Sequence, residues 1–141
     1  MSERGSASIE FIVASVALLV PLVALTVTTS HVASATFAAT AAARHGVRAF
    51  TSAESTNVGL ERVRAITILV AGDHGVLDAN PNWEIDCSRR NCLGRGSLVE
   101  LTVHLDVPLS FIPTLPGIDI APRVTVSRSA TARVSLTSVN R

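Results

Sequence analysis

The hydrophobic pattern changes character several times along the chain, and each change predicts a different element. Residues 11–27, FIVASVALLVPLVALTV, run for 17 positions without a charge. The neutral Thr28, Thr29 and Ser30 extend the run to 20, about the length a helix needs to cross roughly 30 Å of hydrocarbon. A single spanning helix is predicted there. Pro21 lies inside it and predicts a bend, because its ring and missing N–H break the helical ladder at a cost a membrane helix can absorb. From Ser30 to Phe50 the sequence is dense in alanine, the strongest helix former, and free of proline. The helix is therefore predicted to continue outward. Its 45 residues from Ser6 to Phe50 would reach about 68 Å, too long to be fully embedded. The small residues of its outer half, among them Ala35, Ala38, Ala39, Ala42 and Ala43, permit close approach of another helix or of the chain's own domain.

Thr51 and Glu54 have capping-box spacing, which predicts a second helix starting near Ser52. Leu60, Val63, Ile66 and Val70 give it an apolar stripe, and Gly72 is the expected stop. Residues 72–81, with Asp73, Gly75, Asp78, Asn80 and Pro81, read as a loop. Beyond it the period becomes two. Trp83, Ile85 and Cys87 alternate with Glu84 and Asp86. Val99, Leu101, Val103, Leu105 and Val107 alternate with Glu100, Thr102, His104 and Asp106. Val124, Val126, Ala130, Ala132, Val134 and Leu136 alternate with polar residues, Arg128 being the exception. Three half-buried strands are predicted, the last two joined by a connection containing Pro108, Pro113, Pro116, Gly117 and Pro122. Each strand has one apolar face to bury, and the two helices are the available cover. The expected fold is α+β: a long stalk helix over residues 6–50, then an extracytoplasmic unit over residues 51–141 in which a short helix packs on a small, mainly antiparallel sheet.

Composition narrows the function. With 48% hydrophobic and 16% charged residues, the chain is too apolar for a disordered protein and greasier than an ordinary cytosolic domain. Twelve basic residues, all arginine, nearly cancel eleven acidic ones to a net charge of +1. That balance removes the broad attraction nucleic-acid binding needs. No GxSxG, HExxH or glycine-rich phosphate loop is present, and His31, His45, His74 and His104 are scattered. No catalysis, cofactor or small-molecule substrate is expected. Cys87 and Cys92 form an even pair in a segment placed outside the membrane, an oxidising setting that favours a disulfide. The alternative is a metal site shared with His74 or His104, but Cys-x4-Cys has no second pair to complete it.

The N-terminus admits three readings. A secretory signal would use Arg4 as its basic flank and cut after Ala33-Ser34-Ala35, although its apolar core usually spans about 7–15 residues. A plain anchor explains the length of the run but not Glu10, since a carboxylate bordering a spanning segment is costly unless paired or interfacial. The third reading uses Glu10. The stretch Arg4-Gly5-Ser6-Ala7-Ser8-Ile9-Glu10-Phe11, leading straight into the apolar run, resembles the prepilin-peptidase site of type IV pilin-like proteins. In its five-residue leader it is similar to the TadE/TadF-like pseudopilins of tight-adherence (Flp) pilus systems. The alanine-rich stretch ending in Arg44-His45-Gly46-Val47-Arg48 and the strand, proline-rich connection and final strand resemble the later parts of the same family.

The resemblance implies a leader over residues 1–5, cleavage between Gly5 and Ser6, and Glu10 at the fifth mature position beside Phe11, where it would serve assembly. It implies a pilin-like fold and a minor pilin or pseudopilin function. The implied partners are the membrane, other pilins with their assembly machinery, and a prepilin peptidase. Arg4 on the short N-terminal flank places that end in the cytoplasm and the domain outside. The alternatives are a secreted, disulfide-bonded, β-rich binding protein released by signal peptidase and a single-pass envelope protein that binds a partner through its outer domain.

Overall fold

Alanine density and the absence of a stop signal carry the first helix far beyond the apolar run. In the computed structural model, which describes residues 6–76, 80–108 and 123–136, helix α1 spans Ser6–Thr51. Its 46 residues correspond to about 69 Å, and it runs through Pro21 as one element. Its two halves live in different surroundings. Residues 7–23 are exposed throughout. Farther along, Ala35, Ala38, Ala39, Ala42, Ala43, Val47 and Phe50 are buried, at the three- and four-residue spacing of one helix face.

Helix α2 spans Thr56–Asp73 and starts later than the Thr51/Glu54 spacing predicts. Its N-cap is Ser55, whose hydroxyl accepts from the Val58 N–H at 3.4 Å. The reason is that the two earlier hydroxyls are already spent on the end of α1. Thr51 donates to the Val47 carbonyl at 2.9 Å and Ser52 to the Ala49 carbonyl at 3.1 Å. The buried stripe of α2 also differs from the expected one: it consists of Gly59, Val63, Thr67 and Ala71, while Leu60 is exposed. Small residues win these positions because α1 lies so close. A Cβ added at Gly59 would stand 2.7 Å from the Phe50 ring. The stop is Gly75, at φ +69°, and not Gly72. The Gly75 N–H donates to the Gly72 carbonyl and the Val76 N–H to the Ala71 carbonyl, the paired bonds of a glycine-terminated helix.

Strands β1 (Asn80–Cys87), β2 (Leu98–Pro108) and β3 (Arg123–Arg133) form one antiparallel sheet in that order. The period-two reading holds in phase. Val99, Leu101, Val103, Leu105 and Val107 of β2 are buried, with Val126 of β3 beside them. Leu136, expected on the last strand, is exposed, because β3 ends at Arg133 and only Val134 beyond it still turns inward. Helix α1 packs against α2, β2 and β3. Gly46 makes this possible: a Cβ there would meet Leu101 of β2 at 2.6 Å and Val63 of α2 at 3.8 Å.

Two buried side-chain atoms, Ser97 Oγ and His104 Nε2, have no hydrogen-bond partner among the described residues. The Ser97 hydroxyl belongs to a residue at 0% exposure. Such a group costs about 1–3 kcal/mol. Ser97→Ala is therefore expected to raise stability by about 1 kcal/mol. Urea unfolding followed through Trp83, the only tryptophan, reads this directly, and a lowered midpoint would contradict it.

Candidate functional site

The bare half of α1 is the feature that the rest of the fold does not explain. Phe11 is 74% exposed, and Ile12, Val13, Leu18, Leu19, Leu22 and Leu25 are similarly uncovered. A surface of this size and continuity is not left to water in a soluble monomer. Residues 7–51 include a stretch long and apolar enough to cross a membrane, with a mean hydropathy of 2.5 in its most apolar window and none of that window buried.

Polar groups at the C-terminal end of this segment are satisfied within the helix. The Thr26 hydroxyl donates to the Leu22 carbonyl and that of Thr28 to the Ala24 carbonyl, both at 2.8 Å, and Thr29 likewise bonds back to Leu25. Hydroxyls paired in this way add little cost in an apolar medium. Pro21 leaves the Ala17 carbonyl without its usual helical donor, and α1 continues across it.

Glu10 is the only Asp, Glu or Arg between Ser6 and Arg44. It is exposed and has no ion pair among the described residues. Ser6 is the first residue of α1, whereas Gly5 and the rest of the expected leader lie outside the described residues.

At the opposite end of the domain, Cys87 and Cys92 are joined by a disulfide with a Cα–Cα distance of 5.2 Å. The expected pairing is thus formed, and neither sulfur is available to His74 or His104 as a metal ligand. The bond closes the turn that leaves β1. Ser88 and Leu98 then clasp the base of the turn, the Ser88 N–H donating to the Leu98 carbonyl and the Leu98 N–H to the Ser88 hydroxyl, both at 2.9 Å. Arg95 reaches from this turn to the Leu136 carbonyl.

A shallow polar groove runs between this turn, residues 51–56 and residues 133–135. The same groove shows that the end of α1, the end of β1 and the end of β3 lie together, at the pole farthest from the bare helix. His104 is paired with the Ser127 hydroxyl at 2.7 Å across β2 and β3 and is brought near no other predicted site residue. The arrangement separates an apolar helix with one carboxylate from a folded, disulfide-closed head. No protein-family model, curated protein or solved structure matches this chain.

Proposed function

We propose that this chain is a minor pilin or pseudopilin-like structural component of a tight-adherence-type pilus or secretion assembly. In this reading prepilin peptidase cuts after Gly5, α1 crosses the membrane with its N-terminus in the cytoplasm, and the α+β head stands outside. The head on a long helix is then pilin-like, and the work of the protein is assembly, not chemistry.

The observation that carries the reading is the division of α1. One helix keeps a single carboxylate, Glu10, just ahead of its apolar run, stays uncovered over residues 7–23, and then packs against α2, β2 and β3 in the head. A soluble domain has no use for the first half, and a simple anchor has no use for Glu10. Release after Ala35 would sever α1 where Ala35 is already buried in the core, so a secreted form has less support.

The test is Gly5→Ala in cells that process such precursors. The substitution is expected to leave the precursor uncut yet inserted, because the apolar run is untouched. Normal trimming of the Gly5→Ala chain would remove the basis of the proposal.

A further inference from the structure

The sheet ends on two open edges that carry opposite charge. Among the described residues nothing pairs with the outer side of β1 or of β3. β1 holds Glu84 and Asp86 and no arginine. β3 holds Arg123, Arg128 and Arg133 and no carboxylate. Hydrogen-bond phase identifies the open groups. Ser88 pairs with β2, so residues 80, 82, 84 and 86 do as well, and the odd-numbered residues of β1 turn their backbone outward. On β3, the Val134 N–H donates to Ser97, so the odd-numbered residues 123–133 face outward.

Each edge carries local guards. Pro81 has no N–H to offer, and the Trp83 N–H is taken by the Asn82 side chain at 2.9 Å. The Ser127 carbonyl is taken by the guanidinium of Arg128 at 2.8 Å. Arg128 occupies an inward-phase position opposite the fully buried Val103, a placement that discourages indiscriminate pairing at an edge.

A second imbalance lies on the outer face of the sheet. Asp86 and Glu100 are direct cross-strand partners, with Glu84 two residues away on the same face. No arginine among the described residues pairs with any of the three. Like charges placed directly opposite destabilise a sheet, so the isolated head retains an uncompensated repulsion beside its β1 edge. Arg133 is exposed on the same outer face, opposite Leu98 and diagonal to Glu100, but it lies two strands from Asp86 and Glu84.

We propose that the two edges are halves of one interface between copies of this chain: β3 of one copy adds alongside β1 of the next, extending the sheet and bringing Arg133 against the Asp86–Glu100 pair. The geometry rests on the membrane reading given above. β1 and β3 both run toward the pole where α1 ends, so copies standing in one membrane present these strands in the same direction. Pairing β3 with its own counterpart in antiparallel fashion would require one head to be inverted. Pairing the two β3 strands side by side in parallel would set Arg123, Arg128 and Arg133 against their own copies. Only β3 on β1 is both upright and charge-matched. Such a contact is heterologous, leaving a free edge at each end and generating rows, rings or helices, not closed pairs.

The experiment uses two differently tagged full-length copies in detergent and reads their co-purification at low salt. Arg128→Glu/Arg133→Glu makes both edges acidic, and Glu84→Arg/Asp86→Arg makes both basic. Each reversed chain is expected to lose about tenfold in self-association, as attraction becomes repulsion. Mixing the two is expected to restore it, because every contact in the mixture is again acid against base. Unshifted Trp83 emission establishes that the heads are folded. Self-association of either reversed chain at the wild-type level, a mixture no better than its components, or a wild type that does not co-purify would overturn the inference. If the reversed chains associate normally while Glu10→Leu does not, the contact lies in α1. This inference then fails and the assembly reading stands.

Discussion

Glu10→Leu is expected to insert and to be cleaved normally, yet to drop out of the assembled complex. Insertion depends on the apolar run and cleavage on the Gly5–Ser6 bond, and neither is changed. What changes is the one charge at the N-terminal end of the bare helix. In the proposed reading, cleavage after Gly5 would create an ammonium at Ser6, and the pilin resemblance implies that Glu10 pairs with that group on a neighbouring subunit. A carboxylate left alone in a membrane helix is unfavourable by about 2.5–3.5 kcal/mol on insertion scales, a penalty that pairing between correctly staggered helices relieves. Loss of that difference corresponds to an effect on the order of a hundredfold in association. Crosslinking in intact membranes with partner subunits reads the result. Undiminished crosslinking by Glu10→Leu would reduce Glu10 to an interfacial residue.

The largest expected effect on the fold itself comes from Leu101→Ala. Leu101 is fully buried in β2, and its Cδ2 lies against Gly46 of α1, near Val63 of α2. Truncation removes apolar burial and leaves a void between layers, at a cost of about 2–5 kcal/mol. The contact also makes a sharper expectation possible. Gly46→Ala in the wild type forces its Cβ to 2.6 Å from Leu101 and costs about 1–3 kcal/mol through overpacking. In the Leu101→Ala background the same substitution meets only an ordinary contact with Val63 and recovers up to about 1 kcal/mol, because alanine is the better helix former. The two changes are therefore expected to be strongly non-additive. Urea titration of the four chains through Trp83 measures the coupling, and additive losses would mean that Gly46 and Leu101 do not share this contact.

Most of the architecture is legible in the pattern of apolar positions, because burial on one face leaves a period in the sequence. Val99 to Val107 show this plainly, and so does the alanine series from Ala35 to Ala43, whose small side chains announce a helix that others approach closely. The misreadings fall where a residue had two possible partners. Thr51 and Ser52 have the chemistry of an N-cap but are consumed by the last carbonyls of α1, which moves the cap to Ser55. Leu60 fits an apolar stripe as well as Gly59 does, and only the nearness of Phe50 assigns the inner position to glycine. Gly72 and Gly75 are equally good stops by composition, and the positive φ selects Gly75. Ser97 leaves no mark in the sequence, since a buried serine and an exposed one look alike. The charge difference between β1 and β3 was legible residue by residue, but it has no meaning until the strand order makes both of them edges. The disulfide follows from compartment and pairing, whereas the role of Glu10 rests on a short motif and on the exposed helix behind it.

The most direct measurement is the mass and N-terminal residue of the mature protein purified from membranes of cells that process it. The account expects a chain beginning at Ser6, shortened by the five leader residues and retaining the whole of α1. A mature chain beginning at Thr36 would mean release by signal peptidase and a secreted protein. One that keeps residues 1–5 would mean an unprocessed anchor, and either result would contradict the assembly reading.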